Sequence, residues 1–140
     1  MRIKTLVAVI LIVNIALLAA ACGGAKPGAE KVIKSTKSGD TTVTISSSTG
    51  EIKSGENELT LIFTDASGKP ADVSAASLKF RMPAMGAMAE MNDAATLLTT
   101  DTAGKFQAKV SIEVAGSWEA MITFQGPRGV EQATMSVTAK

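Results

Sequence analysis

Ser117-Trp118-Glu119-Ala120-Met121-Ile122-Thr123-Phe124-Gln125 alternates apolar and polar positions residue by residue. Trp118, Ala120, Ile122 and Phe124 fall on one face; Glu119, Met121, Thr123 and Gln125 fall on the other. A period of two belongs to a strand with one face in a core and the other in water. Trp118 is the largest residue on the inward face, and its indole N–H needs a partner there. The same period recurs on both sides. Residues 41–46 are β-branched and alternating. Residues 58–64 set Leu59, Leu61 and Phe63 on one face. Residues 77–82 turn Leu78, Phe80 and Met82 inward and Lys79 and Arg81 outward. A weaker strand is predicted over 94–100, and a clear one over 105–112 with Phe106, Ala108, Val110 and Ile112 aligned. Ala133, Met135 and Val137 mark the last.

Turn chemistry separates these runs. Asp65-Ala66-Ser67-Gly68-Lys69-Pro70, Asp101-Thr102-Ala103-Gly104, Ala115-Gly116 and Gly126-Pro127-Arg128-Gly129 all punctuate the chain. About seven strands at this spacing predict an all-β fold, an immunoglobulin-like antiparallel β-sandwich over residues 41–140. Met121 and Met135 read as packing residues.

Composition excludes several function classes. The chain has 140 residues, 14 Lys+Arg against 13 Asp+Glu, one Cys and no His. Without His there is no imidazole base, no Ser-His-Asp triad and no His-ligated zinc. One Cys makes no intrachain disulfide framework and no Cys-rich zinc site. Near-zero net charge gives no basic face for nucleic acid. The Asp and Glu residues form no recognisable catalytic pair, so the chain reads as a non-enzyme.

Residues 1–21 read as a leader. Arg2 and Lys4 precede an apolar run over 6–21, broken only by Asn14. Sixteen residues are short for a bilayer span, which needs roughly 20. The run ends in Ala19-Ala20-Ala21-Cys22-Gly23-Gly24, a small-residue cleavage pattern. Cys22 after these residues resembles the lipobox of bacterial lipoproteins, with Ala19 where Leu is usual and Leu18 one place further out. The resemblance implies cleavage before Cys22 and lipidation of its thiol. An ordinary cleaved signal and an uncleaved anchor are the alternatives; all three put the domain outside the cytoplasm, and the lipid-anchored reading puts it in the cell envelope. In a Gram-negative cell, Gly23 after the Cys fits an outer-membrane anchor facing the periplasm. Removing Arg2 and Lys4 with the leader turns the net charge from +1 to −1. Residues 22–40 are small and polar and read as the lipidated Cys and a flexible tether.

The chain has seven Met, and four of them lie within ten residues: Met82, Met85, Met88 and Met91, one at every third position. A thioether is a soft, neutral ligand suited to Cu(I) and Ag(I). It needs no deprotonation, so protons do not compete. Spacing of three gathers sulfurs on one face of a helical turn, or a loop folds them around one ion. Pro83 and Gly86 oppose a long helix. Flexible packing at the end of a sandwich, a Met-rich partner surface and an oxidation sink are the competing readings. Glu90 and Asp93 flank the run as solvated charges or auxiliary ligands.

The pattern over residues 57–140 resembles the YtkA-like domain, a relative of FixH-like proteins. It is carried by Leu59-Thr60-Leu61 before the 65–70 turn and by Phe80-Arg81-Met82-Pro83-Ala84-Met85-Gly86-Ala87-Met88. Gly104-Lys105-Phe106 and Ala115-Gly116-Ser117-Trp118-Glu119 complete it. The resemblance implies an exported immunoglobulin-like domain associated with copper handling, metal efflux or respiratory-oxidase assembly. Many relatives carry His near the Met segment; this chain has none, which favours Cu(I) or Ag(I) over Cu(II). Trp118 is similar in type to the Trp lying over Met-bound Cu(I) in the chaperone of the silver/copper efflux system, but its alternation marks it as core first. The expected partners are the membrane, through the N-terminal lipid, and a metal-efflux or oxidase-assembly protein. The alternative is a module that docks an envelope transporter or respiratory complex without metal.

Overall fold

The alternating runs do become strands. The computed structural model describes residues 29–140. In chain order the strands are β1 (Lys31–Ser38), β2 (Thr41–Ser47), β3 (Gly55–Thr64), β4 (Ala75–Met82), β5 (Met91–Ala94), β6 (Thr96–Thr99), β7 (Lys105–Ile112), β8 (Gly116–Gly126) and β9 (Gly129–Ala139). Their ladders are all antiparallel. One sheet has the order β1-β2-β3-β7-β6, the other β5-β4-β8-β9. The runs β2-β3-β7-β6 and β4-β8-β9 reproduce the ABED and CFG orders of an immunoglobulin-like sandwich. The expected fold class is therefore the one that forms, with β1 added outside the A position and β5 beside the C position. Leader residues 1–21, Cys22 and tether residues 23–28 lie outside the described residues.

The core sits between the two sheets. Trp118, Ala120, Ile122 and Phe124 of β8 are buried, as are Leu59, Leu61 and Phe63 of β3 and Leu78 and Phe80 of β4. Phe63 joins the sheets: its ring centroid is 4.8 Å from Phe124 and 5.8 Å, edge-on, from Phe106. Each Leu, Ile and Phe among these contributes about 1.5–3 kcal/mol when fully removed from water. The Trp118 indole N–H donates to the Val114 carbonyl at 3.0 Å. At the 65–70 turn, the Asp65 carboxylate accepts from the Ser67 hydroxyl at 2.6 Å and from the Ser67 and Lys69 amides. These bonds, the Ser67 hydroxyl first, hold its pKa below the usual carboxylate value.

Three sequence expectations are corrected. Residues 31–38 are not tether: they form β1, paired along β2, so the folded domain begins near residue 31 rather than 41. Most β1 side chains stay exposed, so no apolar alternation announced it. Lys31, Lys34 and Lys37 are instead typical of an exposed edge strand. The single weak strand expected over 94–100 is two: β5 in one sheet and β6 in the other, with the chain crossing at Ala95. The Ala95 amide donates to the Leu78 carbonyl at 2.9 Å, which anchors the crossing. Met121 is not a packing residue, because its parity on β8 turns it outward to 41% exposure, whereas Met135 is buried as expected.

Candidate metal-binding hairpin

Backbone chemistry decides where the four methionines go. Met82 ends β4 and Met91 begins β5, and the two are cross-strand partners. Pro83 follows, with no N–H to extend the ladder. Beyond it Met85 and Met88 form a second antiparallel bridge. The Met85 amide donates to the Met88 carbonyl at 3.1 Å, and the Met88 amide donates to the Met85 carbonyl at 2.9 Å. Gly86 and Ala87 close the turn. Gly86 has φ +57°, while no non-glycine residue in the described chain has positive φ. A two-residue loop with glycine in the left-handed region at its first position is a type II′ hairpin turn. The segment is thus a β-hairpin, and the helical turn entertained for it does not form.

In a hairpin a spacing of three has a different consequence. Side chains alternate faces along a strand, so residues three apart point opposite ways. The inward parity is buried only at the base; beyond Pro83 the hairpin clears the sandwich and residues 84–89 are exposed on both faces. Met82 is 3% exposed, and its methyl packs where a Cβ on Gly116 would come within 2.9 Å. Met91 is half-buried against the core. Met85 and Met88 are 58% and 49% exposed. The structure therefore splits the predicted set of four into a core pair and a solvent pair. Cross-strand Cβ atoms in such pairs lie about 4.5–5.5 Å apart, so the Met85 and Met88 thioethers leave the backbone side by side.

An ionic clamp fixes the base of the hairpin. Arg81 Nε and Nη2 donate to Glu90 Oε2 at 3.1 and 3.0 Å, and Nη1 donates to Glu119 Oε2 at 2.9 Å. Asn92 Nδ2 donates to Glu90 Oε1 at 3.0 Å. The Asn92 bond and then the Arg81 guanidinium hold the Glu90 carboxyl below the ordinary glutamate pKa. Glu90 and then Glu119 push the Arg81 guanidinium up. Both Glu90 oxygens are occupied, and Asp93 Oδ2 accepts from the Glu113 amide at 3.3 Å. The flanking carboxylates are thus engaged in structure. Among the described residues, no three His, Cys, Asp or Glu side chains gather where they could hold a metal ion. Trp118, 1% exposed and with its N–H bonded to Val114, is a core residue. The depression on the outer face of the five-stranded sheet is lined by charges already paired, Glu58 with Lys109 and Glu30 with Thr60 and Lys105.

Residues 35–123 match the model of the YtkA-like family. The chain belongs to that family. The matched stretch begins inside β1 and runs almost to the end of β8, so it contains the whole hairpin and its clamp. It starts well before the resemblance read from Asn57 onward and stops short of β9. No curated protein and no solved structure matches the chain.

Sequence reasoning missed the clamp and the parity of this YtkA-like hairpin. The parity had a signal: Met85-Gly86-Ala87-Met88 is the Gly-x turn of a two-residue hairpin. The clamp had a weaker one, since Arg81 and Glu119 both occupy outward positions of alternating strands.

Proposed function

We propose that this YtkA-like chain is a lipid-anchored protein of the cell envelope, without enzymatic activity, that binds Cu(I) or Ag(I) through Met85 and Met88. One observation supports this reading above others: two exposed thioethers are paired across the tip of a hairpin that has no charged side chain. Packing gives no reason for them, because apolar side chains used for packing are taken out of water. Thioethers select soft ions, and they hold their affinity across pH because no proton leaves. Two sulfurs leave coordination positions of such an ion open, which suits handing the ion to an efflux or oxidase-assembly partner more than storing it. Met82 and Met91, read from the sequence as ligands too, contribute as the rigid floor of the hairpin.

The test is an anaerobic Cu(I) titration of the full chain in detergent against a competing colorimetric chelator. Saturable binding is expected, lost in the Met85→Leu/Met88→Leu variant and kept in Met82→Leu/Met91→Leu. Unchanged affinity in the first variant would sink the reading. The exposed, uncharged tip also favours a second one, a module docking an envelope transporter or respiratory complex without metal. Partner capture that survives a Cu(I) chelator would select it.

A further inference from the structure

Residues 83–89, Pro-Ala-Met-Gly-Ala-Met-Ala, carry no charged or hydrogen-bonding side chain, and residues 84–89 are all exposed. An uninterrupted apolar run facing water in a folded domain calls for something to cover it. The position of the tip says what. Met82 lies against Gly116, Gly116 pairs with Ala139, and Ala139 bridges to Ile52. The hairpin therefore projects from the end of the sandwich where β3 and β8 begin and β9 finishes. The chain enters toward the same end: Lys31 opens β1 opposite Ser47, the last residue of β2.

The length of chain before β1 then limits the geometry. Glu30 is held to Thr60 and Lys105, so seven residues, 23–29, separate it from Cys22, and they span at most about 23–25 Å. From the level of Lys31 to the tip is roughly 23 Å, from four residues of β3 and three of the hairpin at about 3.3 Å each. In the other direction β1 and the overhanging β8–β9 turn extend roughly 33 Å. A chain anchored at Cys22 can stand on its hairpin, and cannot stand on the opposite end.

We infer that the hairpin tip faces the bilayer and sits in its interfacial region, with Met85 and Met88 among the lipid headgroups and upper acyl chains. The inference rests on the anchoring part of the proposed function and is independent of the metal. Two thioether side chains bury too little apolar area to bring a free domain to a membrane. Once the chain is anchored, the contact is intramolecular, and a weak preference sets orientation. The orientation also brings the thioethers to the level of a membrane-embedded partner.

The experiment uses the full lipidated chain in phosphatidylcholine–phosphatidylglycerol vesicles containing spin-labelled lipid. An environment-sensitive fluorophore is placed at the tip through Ala87→Cys, or at the opposite end through Ala66→Cys. The expected result is several-fold stronger quenching and bluer emission at position 87 than at 66. Adding Met85→Asp/Met88→Asp should remove that difference. Equal, water-like emission at both sites on chains that float with the vesicles would overturn the inference and leave the anchor reading intact. So would stronger quenching at 66, or emission at 87 that changes with protein density rather than with lipid, the mark of a second copy on the tip. Chains that do not float overturn the anchor reading and this inference with it. The Cu(I) titration in detergent needs no bilayer, so the metal reading stands or falls separately.

Discussion

Met82–Met91 and Met85–Met88 belong to one hairpin and share one register, yet they live in different solvents. The first pair closes the end of the core; the second faces water. Nothing in the side chains distinguishes them. The difference comes from the backbone, because an odd step along a strand reverses the face and the tip runs past the end of the sandwich, where residues 84–89 are exposed on both faces. A helix would have gathered the same four residues on one side. Spacing thus has meaning only once the secondary structure is known, and here Pro83 and Gly86 decide it.

The largest expected effect separates the two pairs by stability. Met82→Ala should cost about 2–5 kcal/mol, the range for truncating a buried side chain. Met85→Ala and Met88→Ala should each stay within about 0.5 kcal/mol. Urea unfolding followed by Trp118 fluorescence measures both, and similar losses in the two pairs would contradict the partition. A sharper version uses Gly116, whose φ of +142° strains any side chain and whose added Cβ would meet the Met82 methyl at 2.9 Å and force it to shift. Gly116→Ala should cost about 1–3 kcal/mol through crowding and backbone strain. Met82→Val should recover part of that loss in a double-mutant cycle. Full additivity would mean that the methyl does not fill the space beside Gly116.

The fold was legible because most strands bury one face. Alternation in residues 105–112 and 117–125 survives every reading, and the pattern of the strands points to a sandwich. β1 was illegible for the opposite reason. An edge strand gains its stability from backbone pairing with β2 and buries little, so its Lys, Ser and Thr look like linker. The β5–β6 crossing was hidden because strands of four residues are too short for a period to show. At the candidate site the residue type was readable and its partition was not. Met82 could be placed in the core by its alternation with Leu78 and Phe80, and the same argument continued through the turn separates it from Met85.

Chemistry gives an intermediate test of the same contrast. Mild peroxide should convert Met85 and Met88 to sulfoxides well before Met82 or Met135, since the rate follows access to the sulfur. Peptide mapping by mass spectrometry reads each site. Ag(I), which mild peroxide does not oxidise, should when bound at the tip slow oxidation of Met85 and Met88 and leave exposed Met121 unaffected. Equal protection of all three would point to reagent depletion rather than to a bound ion.

The smallest effect concerns the clamp between the two pairs. Glu90 is held below its ordinary pKa by Asn92 and Arg81. A depressed carboxylate contributes its stabilisation above the unfolded-state value, about 4.5, and loses it as pH falls through the lower folded value. The site is exposed, so the global effect is slight and the local one is the better readout. The methyl resonances of Met85 and Met88 should shift on acidification with an apparent midpoint below that of an ordinary glutamate. They should stay flat in Glu90→Gln, while the Met82 methyl moves little in either protein. A midpoint unchanged by Glu90→Gln would show that Glu90 is not the group sensed and that the tip is held by its turn alone. In that case the hydrogen bonds between Met85 and Met88, with Gly86 between them, are sufficient to keep the two thioethers side by side.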